Sequence, residues 1–324
     1  MTHDHGHGGQ SHDHSQGHGQ GQGHAHSHGP HHDDLDWDAL AVHLEREAEL
    51  QLPYLTEAAR WLRGLLAESG GTGRESGHEV RRVLDVGSGP GVAACVLAGA
   101  FPAAEVVAVD ASPFLLERAA ARAATAGHGD LFRTLEAELP EGFDTLGTAD
   151  VIWTSQAVHH LGDQEEALRR LGAAVRPGGL LAVAERGLPQ RFLPRDIGIG
   201  RPGLQARLDA ALEDWFTGMR GELPQSKDTV EDWPAMLAKA GLEPAGTRTF
   251  LTDHPAPLGH QAREHLRGHL GRVRERFTEG LDEVDLRTLD ALIDDDAPTG
   301  ILHRSDAFYL VATTVHTARA RYIA

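Results

Sequence analysis

The sequence predicts an α/β protein, a doubly wound and mostly parallel sheet carrying an added helical cap. Three observations predict it. Residues 80–186 alternate strand and helix signals in steady succession. The stretch "VLDVGSGPGV" (83–92) runs a β-favouring segment into glycines at alternate positions, just where a helical pattern begins. On either side of 80–186, helical patterns dominate and strand signals become sparse, which sets a cap apart from a core.

The elements follow in order. Leu40, Leu44 and Ala48 fall at helical spacing, and after Pro53 so do Leu55, Ala59, Leu62 and Leu66. Two helices with a break near Pro53 are expected. "ESGGTGRESGH" (68–78) is a glycine-serine linker. "RRVLDV" is a buried strand, "GVAACVLAGAF" a helix and "EVVAVD" a second strand. "PFLLERAAARAATAG" is a helix with Pro at its start and Gly at its end. "LFRTLEA", "ADVIWTSQ", "EEALRRLGAAV" and "GLLAVAE" continue the rhythm, and such repeats imply a parallel sheet covered on both faces. Beyond Glu185 come an inserted helix at 203–219, a helix from 229 ending at Gly241, and a strand near 247–253. Two more helices are expected at 261–277 and 284–295, and a last strand at 306–315. The chain therefore divides into a tail (1–34), a helical cap with its linker (35–78), a core (79–190), and the rest of the sheet with inserted cap helices (191–324).

Composition narrows the function. The formal charge of −18 disfavours nucleic acid and anionic membrane as partners, since both attract basic surfaces. Cys95 is the only cysteine, so an intrachain disulfide and a multi-cysteine metal site are excluded. No apolar stretch is long enough to span a bilayer and no signal peptide is evident, which leads us to expect a cytoplasmic protein. Arginine far outnumbers lysine, represented only by Lys227 and Lys239, as in a GC-rich bacterial genome.

Half of the 22 histidines lie in residues 1–34. This low-complexity tract offers almost nothing to a core and is expected to be disordered. His3, His5, His7, His12 and His14 alternate with other residues, so several imidazoles could converge on nickel or zinc away from any catalytic centre.

The glycine loop needs a ligand. A strand-loop-helix junction exposes unpaired amides beside the positive end of a helix dipole. A dinucleotide fingerprint would place a sixth-position glycine where Val92 stands, and a P-loop would need a lysine that is missing. Asp85 precedes the glycines, and Asp110 ends the next strand in "VVAVDASP". A carboxylate there can accept hydrogen bonds from two ribose hydroxyls. Ser112 can cap the following helix, which leaves Asp110 for a ligand.

In combination, "VLDVGSGPGV", "VVAVDASP", "AELP", "DVIWTSQAVHHL" and "VRPGGLLAVAE" resemble the successive motifs of class I S-adenosylmethionine-dependent methyltransferases. The resemblance covers 80–186 in order, and 306–315 is similar to the family's final antiparallel strand. It implies a Rossmann-like methyltransferase fold with S-adenosylmethionine as cofactor. Gly87, Ser88, Gly89 and Gly91 would skirt the aminoacyl part. Asp85 would orient the loop or the ammonium, and Asp110, with Ala111 beside it, would hold the ribose. Glu138 would face the adenine amino group with Leu139 beside the ring, while Ser155 or Gln156 would reach the methionine portion.

The acceptor is less defined. The family's DNA amino-methylating motif is absent, since "TSQA" stands in its place, and Cys95 sits in the first helix of the core rather than in a nucleophile motif. A small-molecule acceptor is expected. His159 and His160 are candidates for an acceptor-side base, with helix-start hydrogen bonding as the structural alternative. Trp215, Phe216 and Trp233 are expected to pack in a core. Residues 35–66, 187–225 and 258–300 are expected to roof the acceptor pocket, with a homodimer interface as the competing use. The alternative function is a cofactor-binding protein that does not methylate, regulatory or cyclase-like, with a metal-binding tail.

Overall fold

The computed structural model describes residues 37–68 and 79–322. The histidine tail, its proposed metal ligands His3, His5, His7, His12 and His14, and most of the 68–78 linker lie outside the described residues.

Helix α1 (Trp37–Leu50) gives way to α2 (Leu52–Glu68) at Gln51, with Pro53 in the first turn of α2 where its missing N–H costs nothing. The core then alternates as expected: β1 (Arg82–Val86), α3 (Val92–Ala100), β2 (Glu105–Asp110), α4 (Pro113–Thr125), β3 (Phe132–Glu136), β4 (Ala149–Ser155), α5 (Gln164–Ala174) and β5 (Val175–Arg191). There follow α6 (Leu204–Glu222), α7 (Trp233–Lys239), β6 (Glu243–His254), α8 (His260–Arg276), α9 (Glu283–Ile293) and β7 (Tyr309–Arg319).

The seven strands form one sheet in the order β3-β2-β1-β4-β5-β7-β6. The pairs among β1 to β5 are parallel, while β7 runs antiparallel to both β5 and β6. Period-two alternation sends β1 side chains to opposite faces. Val83 joins a cluster with Leu62 of α2, Leu97 of α3 and Leu116 of α4. Leu84 joins Leu168 of α5 and Met236 of α7 on the other face. A third cluster, with Phe192, Leu208, Leu266, Leu289 and Tyr309, sits in the cap. Asp285 of α9 accepts Arg207 Nε and Nη2 at 2.6 and 2.8 Å. These bonds tie α9 to α6, and the Arg207 guanidinium holds the Asp285 carboxyl below the usual range.

Several elements depart from expectation. β5 spans 17 residues instead of the seven of "GLLAVAE". β4 leaves β5 at the Ser155–Ala184 pair, whereas β5 and β7 stay paired as far as Arg191–Leu310. Together with β6, which pairs with β7 as far as His254–Tyr309, they project past the parallel sheet as an antiparallel arm. The helix expected from 229 begins only at Trp233, where the Asp232 carboxylate accepts the Ala235 amide at 3.1 Å and Pro234 enters the first turn.

Candidate active site

The carboxyl ends of β1, β2 and β4 open on a cavity of about 600 Å³. Its floor is the loop from Gly87 to Gly91, where all three glycines take positive φ (75°, 52° and 76°). The Gly87 and Ser88 amides donate to the Val109 carbonyl, each at 2.9 Å, which ties the loop to β2. The glycines serve different ends. A Cβ on Gly89 would meet nothing within 4 Å, so this position leaves room over the loop. On Gly87 it would lie 2.6 Å from the Ala157 Cβ. On Gly91 it would lie 2.5 Å from the Ala119 Cβ of α4. Gly91 therefore serves helix packing and is not among the residues that line the cavity.

Asp110 has partners within the protein. Ser112 does cap α4, accepting the Leu115 amide at 3.4 Å. Yet the freed Asp110 is engaged: it accepts the Gly89 amide at 2.8 Å and the Ser112 amide at 3.0 Å. Each oxygen still has a second lone pair to offer. Ala111 lines the cavity beside it.

Asp85 and Ser88 supply the clearest sign of a missing polar ligand. Both are buried in the cavity wall, and Asp85 Oδ2 and Ser88 Oγ have no partner among the described residues. Desolvation, reinforced by the nearby Asp110 charge and opposed by the Ala94 amide, pushes the Asp85 carboxyl up to about 7.

Glu138 stands apart from the cavity lining. It is exposed and lies outside the cavity wall, its carbonyl accepting the Gly142 amide at 2.6 Å. Its neighbours Ala137 and Leu139 line the wall instead.

Ser155, Gln156, His159 and His160 line the cavity. Gln156 stands at φ 53°, a strained value for a residue with a Cβ. His159 is buried, its Nδ1 lying 3.0 Å from Glu185 Oε2 and its Nε2 3.1 Å from His160 Nε2. Burial first, then the neighbouring His159 and Arg220, lowers the His160 imidazole to about 4. Arg220 of α6 donates to the carbonyls of His159 and Leu161 at 2.6 and 3.0 Å. Glu185 was not anticipated. Its signal was available, however: like Asp110, it is an acid closing an apolar strand run.

Another part of the wall comes from Glu47 of α1, Gln51 between the helices and Tyr54 of α2. The Tyr54 hydroxyl lies 3.4 Å from Ser155 Oγ, and burial pushes its phenol up to about 12. Beyond them lies a second chamber of about 210 Å³. Glu47, Gln51, Tyr54, Gln156 and Arg186 line both spaces. The chamber is completed by Phe192, Leu208 and Leu212 with His269 of α8, so segments 35–66, 187–225 and 258–300 all reach its wall. Of the three aromatics assigned to a core, only Trp233 is buried. Phe216 stands edge-on to His159 at 5.3 Å, and Trp215 is exposed beneath Arg276. Cys95 packs half-buried in α3, with its thiol pushed up to about 11 by burial.

Residues 84–181 match a family described as methyltransferase domain. An uncharacterized methyltransferase of Mycobacterium bovis is 43% identical over 106 residues, covering 31% of this chain and 48% of its own length. A trans-aconitate 2-methyltransferase of Rhodopseudomonas palustris is 29% identical over 179 residues, covering 54% and 61%. The chain thus spans about half the length of the curated relatives it matches. Among solved structures, an S-adenosyl-L-homocysteine complex of a SAM-dependent methyltransferase from Thiobacillus denitrificans is 17% identical. It covers 82% of this chain and 90% of its own, with a TM-score of 0.42.

Proposed function

We propose that this chain, which belongs to the class I S-adenosylmethionine-dependent methyltransferases, methylates a small-molecule acceptor held in the second chamber. One observation carries the reading: five residues, Glu47, Gln51, Tyr54, Gln156 and Arg186, belong to the walls of both spaces. A donor in the glycine-loop cavity and an acceptor in the chamber would meet there.

The donor site fits S-adenosylmethionine on its own chemistry. Asp85 Oδ2 and Ser88 Oγ are buried polar atoms that lack a protein partner among the described residues, and Gly89 leaves its side of the cavity open. In this reading Asp110 holds the ribose hydroxyls with its remaining lone pairs, and Asp85 faces the ammonium. Gly87, Ser88 and Gly89 border the aminoacyl part, Ala111 and Leu139 the nucleoside, and Ser155 and Gln156 the methionine portion. S-Adenosylmethionine supplies an electrophilic methyl on a sulfonium that leaves as a neutral thioether. The protein's part is to align the acceptor and exclude water. His159 is occupied at both ring nitrogens, so His160, which lines the donor cavity and not the chamber, is the imidazole left for an acceptor whose reacting end extends into that cavity.

The chamber's size suits a small molecule. No helix of the described residues is long and apolar enough to cross a membrane. The relatives named for trans-aconitate suggest a polycarboxylate. Of the acids in the chamber wall, Asp209 pairs with Arg191 and Glu213 with Arg186, which leaves Glu47 without an arginine or lysine partner among the described residues of the wall; this favours an acceptor of lower negative charge.

The test uses the full chain, methyl-labelled S-adenosylmethionine and the low-mass fraction of a bacterial extract. A small product should become labelled. Leu212→Trp, which intrudes on the chamber from α6, should cut labelling by about tenfold or more while S-adenosylhomocysteine still binds. Labelling undiminished by the tryptophan removes the chamber from the account. Binding without any labelling favours the non-methylating alternative.

A further inference from the structure

Glu185 occupies an unusual place. It lies at the end of the buried run of β5, its side chain 9% exposed, and no lysine or arginine pairs with it among the described residues. Its Oε1 is buried without a partner and its Oε2 meets only His159 Nδ1 at 3.0 Å. A carboxylate buried without a cation is costly unless a hydrogen-bond donor meets it. That requirement puts the His159 proton on Nδ1 and the lone pair on Nε2. The lone pair lies 3.1 Å from His160 Nε2, so His160 must donate there. The free lone pair of His160 is then on Nδ1, which no group bonds among the described residues, on a side chain that lines the cavity. The string is polarised one way, from cavity to carboxylate. It is also held rigid: Arg220 pins the backbone on both sides of His160, and Phe216 stands against the His159 ring. The other charged or titratable groups that line this cavity are Glu47 of α1, Tyr54 of α2, Asp85 of β1, Asp110 of β2 and Arg186 of β5.

We propose that the acceptor is protic, a hydroxyl or a primary or secondary amine, and that its proton leaves through His160 and His159 to Glu185. The proposal rests on the methyl-transfer reading above. A carboxylate acceptor arrives already deprotonated and gives such a string nothing to carry. A hydroxyl or amine differs. As its oxygen or nitrogen bonds to the methyl carbon, the carbon–sulfur bond breaks and its electron pair stays on sulfur. The attacking atom then has one proton too many. That proton passes to His160 Nδ1, the His160 Nε2 proton to His159 Nε2, and the His159 Nδ1 proton to Glu185. Both imidazoles end neutral in the opposite tautomer, and Glu185 ends as a carboxylic acid. The balance closes without a free charge in the site: the positive charge lost at sulfur is matched by the negative charge lost at Glu185.

Two measurements on the full chain test this. In the first, nitrogen-labelled histidine is followed by long-range proton–nitrogen correlation in protein saturated with S-adenosylhomocysteine. The spectra are recorded at about pH 7.5, above the ordinary imidazole value, and assigned with His159→Gln and His160→Gln. His159 should carry its proton on Nδ1 and His160 on Nε2. A His159 proton on Nε2 overturns the proposal. In the second, products labelled from methyl-labelled donor in the low-mass extract fraction are treated with mild alkali. Ethers and amines retain the label, whereas methyl esters release it as methanol and overturn the proposal. Glu185→Gln, which can still accept a hydrogen bond but cannot take the proton, should slow labelling by about 10²-fold at neutral pH. The rate should recover as pH rises and the acceptor sheds its proton unaided. Wild-type labelling by this variant overturns the role of Glu185. If the variant does not fold, the tautomers and the alkali test still decide. Failure of S-adenosylhomocysteine to bind defeats the donor site instead. Bound product without any transfer removes the reading on which the proposal rests.

Discussion

The carboxylate of Asp110 accepts the Gly89 amide at 2.8 Å, so the end of β2 holds the tip of the glycine loop in place. The same side chain is proposed to take the donor's ribose. Asp110→Ala removes both functions. It should weaken S-adenosylhomocysteine binding by about 1.5–3 kcal/mol, the usual worth of hydrogen bonds to a charged group. Calorimetry on the purified variant checks this, and unchanged affinity would place the ribose contact elsewhere.

Asp85 makes a pH-dependent prediction. Its carboxyl is raised from 3.8 to about 7 in the folded protein, so the folded state holds this proton more tightly than the unfolded chain. Its contribution to stability is complete below the unfolded value and is lost as pH rises through about 7. The ligand-free thermal midpoint should therefore fall between pH 5 and 8 more steeply in the wild type than in Asp85→Asn. An ammonium facing Asp85 favours the ionised form, so donor binding near neutrality should release a proton. Heats that do not vary with buffer ionisation would argue that Asp85 only orients the loop.

Gly91 predicts a cost in stability. A Cβ there meets Ala119 at 2.5 Å and the backbone is left-handed. Gly91→Ala must push α3 and α4 apart, at about 1–3 kcal/mol. A lowered urea midpoint checks it. Gly89→Ala keeps the strained φ but clashes with no protein atom within 4 Å, so it should cost less stability and weaken donor binding more. Equal effects of the two changes would show that the glycines are not divided in this way.

Much of the core was legible because its signals are local. Apolar runs, Ser112 and the Pro113 start place β1 to β4 and α3 to α5 within a residue or two. The arm was not legible, since "RGLPQR" contains Gly187 and Pro189 and has weak strand propensity of its own. It is a strand because β7 pairs with it out to Leu310. Around Glu138 the motif shows only that the chain passes the cavity; which side chains reach it, Ala137 and Leu139, depends on the backbone path. Spacing also could not separate Gly89, which leaves space for a ligand, from Gly91, which leaves space for Ala119. The Glu185–His159 contact joins residues 26 apart, and only the β4–β5 adjacency brings them together.

The histidine tail yields a separable prediction. Neutral imidazoles at spaced positions can share a nickel or zinc ion, and they are neutral above a pKa of about 6.5. Removing residues 1–34 should abolish most nickel or zinc uptake at pH 7.5 or so while leaving S-adenosylhomocysteine affinity unchanged. Equilibrium dialysis and calorimetry on the shortened and full chains check the two halves. Loss of donor binding would make the tail part of the fold.

Calorimetric titration of the full chain with S-adenosylhomocysteine, beside an identical titration with NAD, tests the central claim most directly. The glycine loop, Asp85 and Asp110 predict a single saturable site for S-adenosylhomocysteine and no heat of binding for NAD. Binding of NAD in its place, or of neither, would contradict the assignment of the cavity to a methyl donor.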